Sequence, residues 1–262
     1  MAHHEIQERL GLPLDVADTA QSVSELIHFR MEDLEVSADL LAVLESASRL
    51  QDLVPDAVLV GGSAAALYAA HRDSYDHDHV VADLRERFEL VLEALESEGD
   101  WVTNRVTPGK VILGRLGDIE AGVRQLIRAR PLETREAVLT SGHRIRVPTL
   151  AETLRVKAFL IVRRNQTRDY LDVAALSTRF GLDESADVLA HIDDYYGDQH
   201  GPGGEGVATQ VVRQLADPRP ADVSVTRELG SYRNLAPEWT DWRQVRAACL
   251  ELATAVLAHP GR

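Results

Sequence analysis

The stretch "VLVGGSAAALYAAHRDSYDHDHVV", Val58 to Val81, sets two aspartates two residues apart, each followed by a histidine, downstream of a glycine pair. Like charges repel, so the juxtaposition needs a cause. In a strand, residues two apart share a face, so Asp76 and Asp78 project together, about 5 to 7 Å apart, while His77 and His79 face the other way. A divalent cation makes such a pair favourable, and Mg²⁺ fits best because it is commonly held by one or two carboxylates plus substrate phosphates. Upstream, Gly61 and Gly62 let the backbone bend and approach a ligand closely. Ser63 then falls in the first turn of a helix whose free N–H groups attract anions. Strand, Gly-Gly-Ser, helix and a strand bearing Asp-x-Asp together read as an anion cradle facing a metal-binding pair.

The elements that must carry these residues follow from the apolar periodicity. "SVSELIHFRMEDLEVSADLLAVLESASRL" reads as one or two amphipathic helices. "DAVLVGG" is a short buried strand stopping at a tight turn, "SAAALYAAHR" a short helix, and "SYDHDHVVADL" the next strand. A helix ending at Gly99 follows, then two or three strands in "WVTNRVTPGKVILGRLGDIEAGVRQL" with turns at Pro108–Gly109 and Gly114. This predicts a small mixed α/β sheet over roughly residues 55 to 148. Thr149 with Glu152 three residues on is a capping box that opens a helical second unit. In it "TRDYLDVAALSTRFG" ends at Gly181, "DQHGPGGEG" is a glycine-rich loop, and Trp239 and Trp242 anchor a C-terminal amphipathic helix. The expected division is a helical segment at 1–50 packed on the core, a catalytic core at 51–148 and a helical domain at 149–262. The fold class is α+β.

Other residues stand out chemically. Lys157 is the one charged residue in "VKAFLIV", and a buried ammonium needs an anionic partner. The plainer alternative is a lysine snorkelling from a helix edge. Arg72 either binds phosphate or braces its turn, and Arg168 with Asp169 could be a structural ion pair. His71, His77 and His79 offer a rival transition-metal site, though one that leaves the glycine turn and Lys157 unexplained. Cys249 lies in an apolar helical context and reads as a structural thiol.

With 45% hydrophobic and 27% charged residues the composition is that of an ordinary folded protein. The start, "MAHHEIQERL", lacks an apolar signal core, and no run approaches a membrane span. The cytoplasm is therefore the expected location. A net charge of −14 argues against general affinity for nucleic acid. The local exception is the basic stretch of Arg155, Lys157, Arg163, Arg164 and Arg168.

"GGSAAALYAAHRDSYDHD" resembles the Gly-Ser then Asp-x-Asp pattern of the DNA polymerase β-type nucleotidyltransferases. With "LRVKAFLIVRRNQTRDYLDVAAL" downstream, the chain is more narrowly similar to the AbiEii and MenT-like toxin nucleotidyltransferases. The resemblance implies a small mixed-sheet nucleotidyltransferase domain with flanking helices and a mainly helical C-terminal domain. It implies two Mg²⁺ ions on Asp76 and Asp78 and a nucleoside triphosphate (NTP) held by Ser63 and the helical Lys157, to which the reading of the residues themselves adds Gly62 of the glycine turn and Arg72 as nucleotide-binding candidates. It also implies a later essential acid, matched by Asp169, and a third carboxylate. For the third, Asp118 and Glu120 are candidates, Glu120 favoured as the mid-strand one. By the same resemblance the reaction transfers a nucleoside monophosphate to a tRNA 3′ end, making the chain a toxin with a cognate antitoxin. A small-molecule acceptor of aminoglycoside type, or a non-catalytic nucleotidyltransferase-like binding protein, are the alternatives. His77 and His79 depart from the family's apolar residues at those positions.

Overall fold

The structure, a computed structural model, describes residues 28–30, 36–232 and 234–261. Its centre is a five-stranded mixed sheet of β2 (Val58–Val60), β3 (Asp76–Val81), β4 (Trp101–Thr107), β5 (Val111–Leu116) and β6 (Ile119–Gln125). The spatial order is β2-β3-β6-β5-β4. Only the β3–β6 pair is parallel, and it aligns Asp76 with Glu120 and Asp78 with Gly122. The other neighbours are antiparallel. A second sheet of three strands joins β1 (His28–Arg30), β7 (Thr134–Val138) and β8 (Arg144–Pro148).

Alternation along β3 decides the layers. His77, His79 and Val81 are buried, whereas Asp76 is exposed and Asp78 and Val80 are half-buried. Val81, Ala121 and Val123 join Leu84, Phe88, Val91 and Leu95 in one apolar core, the last four from α3 (Leu84–Glu96). α1 (Ala38–Leu53) lies over the same side, its Ser37 cap accepting from the Leu40 N–H at 3.1 Å. At about 25 cal/mol per Å² of apolar area, such packing dominates the stabilisation. α2 (Gly61–Ala69) leaves β2 directly and packs against the helical half. That half comprises α4 (Leu150–Arg164), α5 (Thr167–Phe180), α6 (Leu182–Ala190), α7 (Val207–Ala216) and α8 (Trp242–Ala258). Its core includes Phe159 stacked on Tyr196, centroids 4.1 Å apart, and Trp242 edge-on to Tyr170 at 6.1 Å. Cys249 is buried there, its thiol pushed up to about 12 by desolvation, as a structural thiol should be.

Several sequence expectations are corrected. His28–Arg30 falls within the expected N-terminal helix yet is a strand, because backbone pairing to β7 overrides local periodicity. The rest of residues 1–35 lies outside the described residues, and the boundary expected at 50 falls inside α1. Strands β7 and β8 leave the central sheet for the second one. Gly114 is no turn but the middle of β5, where a Cβ would stand 2.5 Å from the Trp101 ring. The chain turns at Gly117 instead, with φ +61°. The capping box is half formed: Thr149 accepts from the Glu152 N–H at 3.1 Å. The Glu152 carboxylate turns away to Arg128 and Arg155, each at 2.8 Å.

Candidate functional site

Two strands, the turn that opens α2 and helix α4 converge on a cavity of about 300 Å³. Its floor is the even-numbered face of β3, with Asp76, Asp78 and Val80, and Arg124 of β6. One rim is Gly61, Gly62, Arg72 and Ser74, and the opposite wall is the Val156, Lys157, Leu160 and Arg164 face of α4. The parallel register sets Glu120 beside Asp76, on the neighbouring strand about 4.8 Å away. Beside Asp78 stands Gly122, where a Cβ would lie 2.6 Å from Asp78 Oδ1. The missing side chain keeps that carboxylate free to stand upright. Ser74 Oγ donates to Asp76 Oδ1 at 3.0 Å, and Arg124 Nε to Asp78 Oδ1 at 3.2 Å. Asp118 sits on the turn before β6, exposed, 3.8 Å from Arg115. A second, open cleft of about 340 Å³ lies on the far side of Asp76, bounded by Tyr75, Tyr232, Asp73, Asp118 and Glu120. Asp76, Asp78 and Glu120 share one sheet face without their oxygens drawing into a three-ligand cluster among the described residues, and as hard oxygen donors they suit Mg²⁺ rather than a softer metal.

The turn is tight for a physical reason. Gly61 has φ +79°, a conformation that favours glycine. At Gly62 a Cβ would meet Ser74 Oγ at 2.6 Å and Arg72 Nη2 at 3.0 Å. Ser63 is fully buried, and its hydroxyl donates to the Asp76 carbonyl at 2.5 Å. It therefore ties the first turn of α2 to the start of β3, and a phosphate would meet the backbone N–H groups of that turn rather than the Ser63 hydroxyl.

Behind the cavity lies a charge cluster that sequence reasoning missed at its centre. Asp172, on α5, is fully buried and receives Lys157 Nζ at 2.6 Å, Arg72 Nε at 2.9 Å and Nη2 at 3.1 Å, and His71 Nε2 at 2.8 Å. Burial alone would raise its carboxyl, yet Arg72, Lys157 and His71 hold it well below the usual carboxylate range. Burial lowers His71 below its ordinary value against the pull of Asp172. Lys157 is likewise lowered by desolvation, with Asp172 opposing. Arg72 and Lys157 thus both face Asp172 from the cavity side, with Asp76 and Asp169 adding to the field at Arg72 and Lys157 respectively. Lys157 is buried and paired, so the snorkelling alternative fails.

Asp169 lies one helical turn before Asp172, outside the cavity lining, and holds Arg164 through bonds of 2.7 and 2.6 Å. Its partner is thus Arg164 and not Arg168, which is exposed. α5 folds back along α4 so that Arg164–Asp169 and Lys157–Asp172 form successive rungs. The signal for Asp172 was present as a second aspartate at i+3 in the apolar run "DYLDVAAL". Arg155 is also consumed, by Glu133 at 3.0 Å and Glu152 at 2.8 Å. The basic stretch expected to receive nucleic acid is therefore largely turned inward, with Arg163 and Arg168 left exposed.

The histidines do not assemble into the rival metal site: among the described residues, His71, His77 and His79 form no three-ligand cluster. His77 Nε2 meets Ser46 Oγ at 3.0 Å, and burial lowers its ring to about 4. His79, fully buried, finds no hydrogen-bond partner at either ring nitrogen among the described residues, and burial lowers it well below its ordinary value. Both are neutral core side chains filling the space that the resemblance assigns to apolar residues.

Sheet order, a glycine turn into α2 and paired acids on the strand beside it define a nucleotidyltransferase-like fold. MenT4, a nucleotidyltransferase toxin from Mycobacterium tuberculosis, shares it at a TM-score of 0.55 and 16% identity, over 84% of this chain and 83% of that one. No family model matches the chain. In sequence it is similar to the heme uptake protein MmpL11 of Mycobacterium tuberculosis, 34% identical over 245 residues, and to the mycolic acid-containing lipids exporter MmpL11 of Mycolicibacterium smegmatis, 32% over 236. Each match takes in 84% of this chain, which spans only 23% and 22% of those proteins. Among the described residues no helix is long and apolar enough to cross a membrane.

Proposed function

We propose that the chain is a metal-dependent nucleotidyltransferase, moving a nucleoside monophosphate from an NTP to an acceptor hydroxyl and releasing pyrophosphate. The observation that carries this reading is the placing of Asp76, Asp78 and Glu120 on one sheet face, next to a glycine turn and a wall carrying Lys157 and Arg72. Asp76 and Asp78, with Glu120 alongside, would hold Mg²⁺, which supplies phosphate charge neutralisation and polarises the attacking oxygen. The α2 N-terminus binds the triphosphate through backbone N–H groups, and Lys157 and Arg72, fixed by Asp172, add the opposing field. The acceptor oxygen forms a bond to the α-phosphorus as the bond to the β-bridging oxygen breaks in line, and a neighbouring carboxylate takes the hydroxyl proton. Val156, Leu160 and Val80 exclude water from the far end of the cavity.

Two acceptors are in play. A tRNA 3′ end, with an antitoxin as partner, rests on the likeness to a toxin fold. A small cationic acceptor is favoured by the acidic cleft beyond Asp76 and by the inward pairing of Arg155, Lys157 and Arg164. The MmpL11 names speak of transport by much longer proteins, and transport forms no part of the proposal. Use of an NTP places the chain, on this reading, in the cytoplasm.

The test offers α-labelled NTPs with Mg²⁺ to total tRNA and, separately, to amino sugars, using wild type, Asp78→Ala and Lys157→Ala. Label on tRNA supports the toxin, and label on the amino sugar supports the small-molecule enzyme. Absence of label on either, with no NTP-dependent thermal stabilisation, leaves the non-catalytic binding protein and overturns the reading.

A further inference from the structure

In the helical half, where α6 and α8 end, Asp187, His191 and His259 bring one ligand atom each to within 4.8 Å of one another. Asp187 and His191 lie four apart, at the end of α6 and just after it, and so share a face. His259 is the residue on which α8 ends. Asp187 Oδ1 is 3.5 Å from His191 Nδ1 and 3.4 Å from His259 Nε2. Both spacings exceed a good hydrogen bond. They match instead the edge of a tetrahedron around zinc, which for bonds of about 2.0 to 2.1 Å is about 3.3 to 3.4 Å. The two imidazoles stand edge to face with centroids 5.6 Å apart. Gly261 crosses over them so closely that a Cβ there would sit 3.1 Å from His191 Nε2 and 3.2 Å from His259 Cε1.

We infer that Asp187, His191 and His259 form a zinc-class metal site that fastens the end of α8 to α6, with water completing the coordination. Two imidazoles and one carboxylate select Zn²⁺ over Mg²⁺, because imidazole nitrogen suits borderline metals and Mg²⁺ takes oxygen. Two weaker contacts are exchanged on binding: the one between His191 Nδ1 and the Asp187 carbonyl oxygen at 2.9 Å, and the Gly261 N–H donated to His259 Nδ1 at 3.2 Å. Each imidazole then turns a lone pair to the metal. The site is chemically distinct from the Asp76, Asp78 and Glu120 set and does not depend on the proposed reaction.

His3 and His4, near the start of the sequence, also offer imidazoles, so the experiment uses the full chain carrying His3→Ala and His4→Ala, stripped with chelator. Zn²⁺ is titrated by calorimetry and by thermal unfolding, Mg²⁺ is the control, and Co²⁺ reports geometry by its visible absorption. The expected result is one Zn²⁺ per chain, a raised unfolding temperature and a tetrahedral Co²⁺ spectrum. All three are lost in His259→Ala and in Asp187→Asn, while far-ultraviolet dichroism is unchanged. No Zn²⁺ binding by the parent chain, or equal binding by both variants, overturns the site.

Discussion

Asp172 shows how much one side chain can organise. Among the described residues it is the one carboxylate paired with Arg72, Lys157 and His71, and none of these is exposed beyond 7%. Asp172→Ala leaves two buried cations without a counter-charge, and the expected loss is about 3 to 5 kcal/mol, read from urea unfolding. Asp78→Asn, on a half-buried position, is expected to abolish label transfer while leaving the unfolding midpoint nearly unchanged. Gly122→Ala tests the geometry more finely. Its methyl group would press on Asp78 Oδ1 at 2.6 Å, so label transfer should fall sharply in a folded protein. Unimpaired transfer would mean that Asp78 does not act in the position seen.

β3 is an element with two chemistries, acids on one face and neutral histidines on the other. His77 is lowered to about 4 and His79 well below its ordinary range, both chiefly by burial, against an unfolded value of 6.5. Depressed histidines contribute stability that is fully present above 6.5, because below it the unfolded chain takes up protons that the folded chain refuses. For His77 stability therefore falls as pH drops from about 6.5 towards 4, by up to about 1 kcal/mol per pH unit, and His79 acts in the same direction. Denaturant midpoints at pH 7, 6 and 5 check this, and His79→Leu is expected to flatten the slope.

Across the whole molecule the sheet and the helical half meet at a buried charge clamp. Glu152, at the start of α4, receives Arg128 from the segment after β6 and Arg155 from its own helix, while Arg128 and Arg155 lie over the Tyr195 ring at 5.3 and 3.7 Å. Burial raises the Glu152 carboxyl against the pull of both guanidiniums. Glu152→Gln removes the charge but keeps the shape, and a loss of about 3 to 5 kcal/mol is expected. Ile127 and Val156, the chain neighbours of Arg128 and Arg155, line the cavity, so NTP-dependent thermal stabilisation should weaken in the same variant. An unaltered NTP response would separate the clamp from the site.

The paired acids on one strand face, the glycine turn ahead of them and the buried lysine were legible because a strand's two-residue period, glycine's backbone freedom and an ammonium's need for a partner are all local facts. The α+β class and most helices followed from periodicity for the same reason. What only tertiary structure decided is pairing: that β3 lies parallel to β6 and sets Glu120 by Asp76, that Lys157 answers to Asp172 and Asp169 to Arg164, and that His28–Arg30 joins a sheet. Partners distant in sequence are chosen by how the layers stack, and charges seen in the sequence as free for a ligand, Arg155 and Arg164 among them, are already spent inside the protein.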